Sequence, residues 1–276
     1  MYAKLIEIGS FYLPTYGVLV ALGFLAGLWI TVKLAKRMGL NAETITNLAV
    51  YVALSGMLGA KILMILFDWR DYMADPGRIL SFETLQAAGV YQGGLILALL
   101  TAVFYARRQG LPFLLTADVF APGVALGHAI GRVGCLAAGC CWGIHTELPW
   151  GITFHNPAAR ALTGVPLEVK LHPSQIYESL TELLLFAFLY WRFSKAAGSG
   201  QVVGLFLLLS STARFGIEFT RFHEQALPFG LPLSITQWIA IVLAVVGAGL
   251  VVRSRRSAHS GPNASSTLPG IPPLRG

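Results

Sequence analysis

The chain has 276 residues, of which 55% are apolar and only 12% charged. Charged residues run near a quarter in a soluble domain, so this composition, with its positive mean hydropathy, excludes an ordinary soluble fold and points to an integral membrane protein. The net charge of +7, from 20 Lys and Arg against 13 Asp and Glu, would suggest nucleic acid in a soluble protein, but here the basic residues fall between apolar runs, a topological pattern that implies no nucleic-acid partner.

Crossing a ~30 Å hydrocarbon core takes roughly 20 helical residues. Apolar stretches of about that length lie at 12 to 32, 46 to 67, 89 to 106, 117 to 136, 173 to 191, 201 to 219 and 234 to 252. The sequence therefore predicts an all-α integral membrane fold with seven transmembrane helices. The first stretch reads as a retained span rather than a cleaved leader, because its positive flank (Lys33, Lys36, Arg37) follows the apolar run. Connections carrying Lys33, Lys36, Arg37, Arg107, Arg108, Arg192 and Lys195 alternate with connections poorer in basic residues. By the positive-inside rule the basic ends are cytoplasmic, which places the N-terminus outside and the C-terminus inside. The two long outer connections, 68 to 88 and 137 to 172, are expected to form a small outer-face cap. Residues 1–256 make the membrane domain, and the Ser, Gly, Pro and Asn-rich residues 257–276 are expected to be a disordered cytoplasmic tail. No internal repeat of the transporter kind is visible.

Charges inside the spans carry the functional signal, since a cation near a helix centre costs about 2.5 to 3.5 kcal/mol on insertion scales. Lys61, Arg132 and Arg214 each lie roughly 20 Å along their helices from the inner boundary, counted at 1.5 Å per residue. Glu178 and Glu182 share a face of the fifth helix, and Glu218 lies one turn beyond Arg214. These groups are either helix-stapling ion pairs or a site for an anion. Two guanidinium groups at one depth suit a phosphate, which takes bidentate hydrogen bonds. Tyr16, Gln92 and the segment from His172 to Glu178 bring more polar groups to the same level, although Tyr16 and Tyr177 also read as interfacial aromatics. His128, one turn before Arg132, is either a buried proton acceptor or a packed, hydrogen-bonded side chain. Gly131, Gly134, Gly139 and Gly143 allow close backbone approach where irregular chain lines a protein cavity.

Taken together, Gly131-Arg132-x-Gly134 closed by Gly143, Tyr91-Gln92-Gly93-Gly94-Leu95, His172-Pro173-Ser174-Gln175-x-Tyr177-Glu178 and Arg214-x-x-x-Glu218-Phe219-x-Arg221 resemble the bacterial prolipoprotein diacylglyceryl transferases. Tyr16-Gly17 in the first helix and Gly59-Ala60-Lys61 in the second extend the likeness along all seven stretches. The resemblance implies a bacterial inner-membrane, multi-pass enzyme whose active site faces the outer leaflet. Its partners would be the bilayer, phosphatidylglycerol and prolipoprotein signal peptides. It would move the diacylglyceryl group to the thiol of the lipobox cysteine and release glycerol 1-phosphate, with no cofactor and no metal. Rival readings are a homologue using the same phosphate site on another acceptor, and a non-catalytic lipid-binding protein or carrier. The near absence of ionisable residues from the cytoplasmic half disfavours the carrier.

The resemblance makes Arg132, Arg214, Tyr16, Gln92, His128 and Glu218 the catalytic candidates. Arg132 and Arg214 are also substrate-binding candidates, with Lys61, Gly93, Gly94, Gly134, Gly143, His172, Ser174, Gln175, Tyr177 and Glu178. Two departures stand out. Gln92 replaces the usual His before the paired glycines and cannot serve as a base at neutral pH, while Cys135 and Cys140 replace the usual Asn and Glu. The base role must then fall to His128, Glu178, Glu182, Glu218 or water. The three cysteines read as small packing residues, as a disulfide between Cys135 and Cys140 or Cys141, or as a reactive thiol beside Arg132.

Overall fold

The computed structural model of the chain describes residues 4–8, 11–81, 84, 89–196, 198–222 and 232–259. It divides into two compact units, one formed by residues 1–34 and 117–276 and the other by residues 35–116.

The first unit opens with a feature the sequence reading did not anticipate, an antiparallel hairpin of β1 (Lys4–Ile8) and β2 (Phe11–Pro14). Helix α1 (Thr15–Arg37) follows at once. The second unit holds α2 (Ala42–Phe67), the short helix α3 (Trp69–Ala74), a 3-10 turn at Pro76–Leu80 and α4 (Tyr91–Arg108). The chain then returns to the first unit through α5 (Phe113–Ala138), β3 (Ile152–Thr153), α6 (Pro157–Thr163), β4 (Lys170–Leu171), α7 (Ser174–Phe193), α8 (Gln201–Glu218) and α9 (Ile235–His259). Among the described residues seven helices have 18 residues or more, and each overlaps one of the apolar stretches read from the sequence. Four of them, α1, α2, α5 and α9, are long and apolar enough to cross a membrane. Because α9 runs to His259, the first residues of the expected tail are helical, and 260–276 lie outside the described residues.

Between apolar helices in lipid no hydrophobic force favours contact, so close approach depends on small residues. The chain follows that rule. In the first unit Gly23 and Gly27 of α1 face Gly127 and Gly123 of α5, and a Cβ at Gly23 would lie 2.8 Å from the Gly127 carbonyl oxygen. Gly204 of α8 meets Gly247 of α9 in the same way. Within the second unit, Gly56 and Gly59 of α2 pack on Gly94 and Gly93 of α4.

Two contacts set how α5, α7 and α8 align. Ala121, Ala125, Leu185, Leu189 and Val202 form one buried cluster across the three helices. Asp118 of α5, 3% exposed, accepts hydrogen bonds from the backbone N–H groups of Gly200 (2.6 Å) and Val203 (2.8 Å) at the start of α8. A carboxylate there satisfies orphan N–H groups and complements the helix dipole. Arg132 lies as many residues beyond Asp118 as Arg214 lies beyond Gly200, about 21 Å along either helix at 1.5 Å per residue. Pinning the two helices at Asp118 therefore brings the two arginines level.

The segment expected to form a cap does fold on itself. Strand β3 pairs antiparallel with β4, and Phe154, Ala159, Val165 and Leu171 are almost wholly buried together. Helix α6 is capped by the Asn156 side chain, which accepts from the Ala158 N–H (2.9 Å), and is ended by left-handed Gly164.

Candidate functional site

An arginine–carboxylate cluster forms where α5, α7 and α8 run level. Glu178, 3% exposed on α7, is its centre. Its Oε1 accepts from Arg214 Nη1 (2.6 Å) and from Arg221 Nη1 (3.0 Å), and its Oε2 lies 2.6 Å from Arg132 Nε. Arg132 directs that Nε–H at His128 Nε2 (3.1 Å), so its contact with Glu178 is one of charge rather than an aligned hydrogen bond. Arg214 also pairs through Nη2 with Glu218 Oε2 (2.7 Å), and Ser234 donates to the other oxygen of Glu218 (2.8 Å). Glu182 receives the Ser210 hydroxyl (2.7 Å) and faces His128 Nδ1 at 3.3 Å. Three guanidinium groups thus meet three carboxylates and one imidazole. Unpaired, these charges could not remain at this depth, since a buried ion needs hydrogen-bonded partners.

The cluster is not sealed. The side chains of Arg132, Arg214 and Arg221 keep 17%, 23% and 15% of their surface accessible, against 4% for Glu178. A cavity of about 220 Å³ between α5 and α7 is lined by Arg132, by polar Gln175 and Ser179, and by apolar Val133, Leu136, Ile176 and Leu180. Val133 and Leu180 are 44% and 55% exposed. A guanidinium at the head of an apolar recess is suited to a molecule with an anionic group and hydrocarbon attached.

The His172 segment braces this site. Gly143 N–H donates to the His172 carbonyl (3.2 Å), His172 N–H to Ile144 (3.0 Å) and Ile144 N–H to Thr220 (2.9 Å), so three chain segments lie side by side. A Cβ at Gly143 would sit 2.5 Å from the His172 oxygen and 2.6 Å from that of Thr220, which only glycine avoids. Ser174 donates to Thr220 O (3.3 Å), Gln175 donates to Cys140 O (2.6 Å), and Tyr177 OH bridges His172 Nδ1 (3.2 Å) and Trp150 Nε1 (2.8 Å). Gly134 lets α1 close in, with Tyr16 Cδ2 3.3 Å from where its Cβ would be. Tyr16 there lies within electrostatic range of Arg132 and of all three cysteines.

The remaining candidates belong to the second unit. Lys61 Nζ donates to Thr84 O (2.5 Å), Gln92 is exposed in the first turn of α4, and Gly93 and Gly94 form the α2–α4 contact described above. Arg221, the last residue of the Arg214 motif, is a member of the cluster that the sequence does not mark as a site residue. It lies three residues beyond the end of α8, where the chain turns back beside Gly143. Nothing in the sequence pointed to Asp118 as the residue aligning α5 with α8.

The disulfide, one of the three readings of the cysteines, is not formed. All three are free. Left-handed Gly139 (φ 79°) and Cys141 (φ 59°) fold the chain back over the end of α5 and bring the Sγ atoms of Cys135, Cys140 and Cys141 within 4.8 Å of one another. Positive φ is costly for a side chain bearing a Cβ. Hydrogen bonds with Cys135 and Cys140, aided by the charges of Arg221 and Arg132, hold the Cys141 thiol well below its ordinary range.

These features define a helical membrane protein with an arginine-rich polar site set among apolar helices. The chain matches the family described as prolipoprotein diacylglyceryl transferase over residues 3–253. It is 33% identical to a phosphatidylglycerol–prolipoprotein diacylglyceryl transferase of Clostridium tetani over 88% of this chain and 94% of that protein. It is also 33% identical to transferase 2 of that name from Clostridium perfringens (87% and 91% covered), and 32% identical to a counterpart in Dehalococcoides mccartyi (91% and 92%). The chain belongs to the prolipoprotein diacylglyceryl transferase family, a family of bacterial membrane transferases.

Proposed function

We propose that the chain transfers the diacylglyceryl group of phosphatidylglycerol to the thiol of a prolipoprotein lipobox cysteine, forming a thioether and releasing glycerol 1-phosphate. The observation that carries this reading is the convergence of Arg132, Arg214 and Arg221 on Glu178 beside an apolar recess. In the reaction a sulfur attacks the glycerol carbon that bears the phosphodiester, and negative charge develops on the departing oxygen. Preorganised guanidinium groups in a water-poor site stabilise such charge without reorganising. Arg132 and Arg214 hold the phosphate, and Arg221 and Glu218 fix how they point. Tyr16 closes the site from α1. His128, oriented by Glu182, accepts the thiol's proton at Nε2 in place of the Arg132 Nε–H, a role that Gln92 cannot serve. Gly134, Gly143, His172, Ser174, Gln175 and Tyr177 shape and brace the recess. Lys61, Gly93 and Gly94 stay in the reading as substrate contacts of the second unit.

The same reading sets seven spans in the inner membrane, with the N-terminus outside, the C-terminus cytoplasmic and the site open to the outer leaflet. Reporter fusions at both ends and after each long helix test that topology; an N-terminus reporting cytoplasmic would reverse it.

The functional test is a transfer assay with purified protein, acyl-labelled phosphatidylglycerol and a lipobox peptide, read by mass spectrometry of the peptide. A diacylglyceryl thioether with glycerol phosphate released is the expected result. An unmodified peptide, with lipid bound, would favour a different acceptor.

A further inference from the structure

We propose that Cys135, Cys140 and Cys141 form a site for a soft divalent ion of the zinc class, and that its fourth position receives the acceptor thiol. The second half of this proposal rests on the thiol transfer proposed above. The geometry comes first. A tetrahedral zinc site with ~2.3 Å bonds places its sulfurs about 3.8 Å apart, and the three Sγ atoms already lie within 4.8 Å of one another. Closing the ring needs no more than about 1 Å of side-chain movement. The strained backbone of Cys141 is what turns its sulfur toward the other two.

Charge is the second argument. Three thiolates and a dication sum to −1, and binding a fourth thiolate takes this to −2. Arg132 and Arg221, which both pair with Glu178, are near enough for their charges to act on Cys141 and offset part of that excess.

Coordination number is the third. Among the described residues the group contains three ligands and no fourth His, Cys, Asp or Glu. Three protein ligands with one open position are the pattern of catalytic rather than structural zinc. Cys140 and Cys141 are only partly buried, so the open position can be reached. A soft ion prefers sulfur, and the acceptor in the proposed reaction is a thiol.

The chemistry balances without a redox partner. A free thiol with a pKa near 8.5 is only about 3% ionised at pH 7. Coordination removes that proton, which passes through water to His128. The sulfur then uses its electron pair to form the C–S bond. The C–O bond of the phosphodiester breaks with its pair on oxygen, and glycerol 1-phosphate leaves. The ion returns unchanged when the thioether, a weaker ligand, is released.

The test uses the full chain in detergent, reduced with a non-thiol reductant, stripped by chelation and titrated with Co²⁺. The expected result is one cobalt per chain with an intense thiolate-to-cobalt band, displaced by Zn²⁺ and lost in Cys135→Ser. A lipobox peptide should shift the visible cobalt bands, whereas the same peptide with Ser for Cys should not. Stripping should lower transfer by up to about 30-fold, the gain available from full thiol ionisation, and Zn²⁺ should restore it. The wild-type spectrum carries the test even where Cys135→Ser fails to fold. Transfer by a chain that gives no thiolate–cobalt band overturns the site and leaves the transferase reading intact. A band that ignores the Cys peptide, with transfer undiminished by stripping, overturns the role of the fourth position. A band that responds to the peptide in a chain that never transfers lipid upholds the site and sinks the transferase reading instead.

Discussion

Replacing Arg132 by Lys tests whether the cluster grips a phosphate or merely staples helices. Lysine keeps the positive charge opposite Glu178, so the ion pair survives in altered form. What it loses is the planar fork. In the wild type the Nε edge of Arg132 is taken by His128 and Glu178, which leaves the terminal amino groups for a ligand. A single ammonium cannot serve both sides. Each hydrogen bond to a charged group is worth about 1.5 to 3 kcal/mol. Losing one such bond to the developing oxyanion should lower kcat/KM about 10- to 150-fold, at 1.36 kcal/mol per decade. If the bond is made chiefly in the transition state, most of the loss falls on kcat. The assay is initial-rate transfer from phosphatidylglycerol in mixed micelles to a lipobox peptide, with the melting temperature in detergent as control. A kcat/KM within twofold of wild type, at unchanged melting temperature, would refute the phosphate grip and leave the cluster as a staple.

The other predictions use the same assay. Arg221→Lys should cost about 10-fold in kcat/KM, because it removes one charge-assisted bond to Glu178 (3.0 Å) that keeps the guanidinium groups aligned; unchanged kinetics would return Arg221 to a bystander. His128→Gln keeps an acceptor for the Arg132 Nε–H but cannot take a proton, so kcat should fall on the order of 10²-fold with phosphatidylglycerol binding unchanged. A normal kcat would move the base elsewhere. Asp118→Ala strands the N–H groups of Gly200 and Val203 and should cost about 1 to 2 kcal/mol. It should lower the melting temperature and, by freeing α5 from α8, reduce activity more than its distance from the site would suggest. Gly143→Ala forces a methyl against two carbonyl oxygens, and overpacking of this kind costs about 1 to 3 kcal/mol. A melting temperature equal to wild type would show that the three segments can part at no cost to admit the methyl.

What the sequence made legible was local or one-dimensional. Among the described residues apolar length located the seven helices of 18 residues or more, four of them long and apolar enough to cross a membrane, because a lipid-facing helix must be apolar over its whole span whatever it packs against. Cations inside those spans marked Arg132 and Arg214, because their cost in an apolar setting is a property of position alone. The Arg214–Glu218 pair followed from helical spacing. Partner choice between helices was hidden. Glu178 gathering three arginines, and Glu182 turning to His128 and Ser210, depend on the rotation of α7 about its axis, which no single-helix periodicity contains. The N-terminal hairpin was hidden too, since Tyr12 to Pro14 fall inside the apolar stretch 12 to 32 that reads as the first helix.

The clustering of the cysteines depends on a turn that spacing along the chain does not contain. Cys-x4-Cys-Cys does not match a metal pattern if the chain is assumed to continue as helix or loop with negative φ. Gly139 announces a left-handed turn, but Cys141 entering the same region at φ 59° does not follow from any residue preference. A conformation that the residue disfavours must be held by its surroundings, here by backbone contacts of 142 to 146 with 170 to 172 and 220 to 222. Those contacts exist because Gly143 admits two carbonyls at once. The sulfur cluster is therefore a consequence of Gly143 as much as of the cysteines themselves, and Gly143→Ala should weaken Co²⁺ binding at the thiols even though no sulfur has been changed. Cobalt affinity unaltered in that variant would show that the thiol ring closes without the three-segment brace.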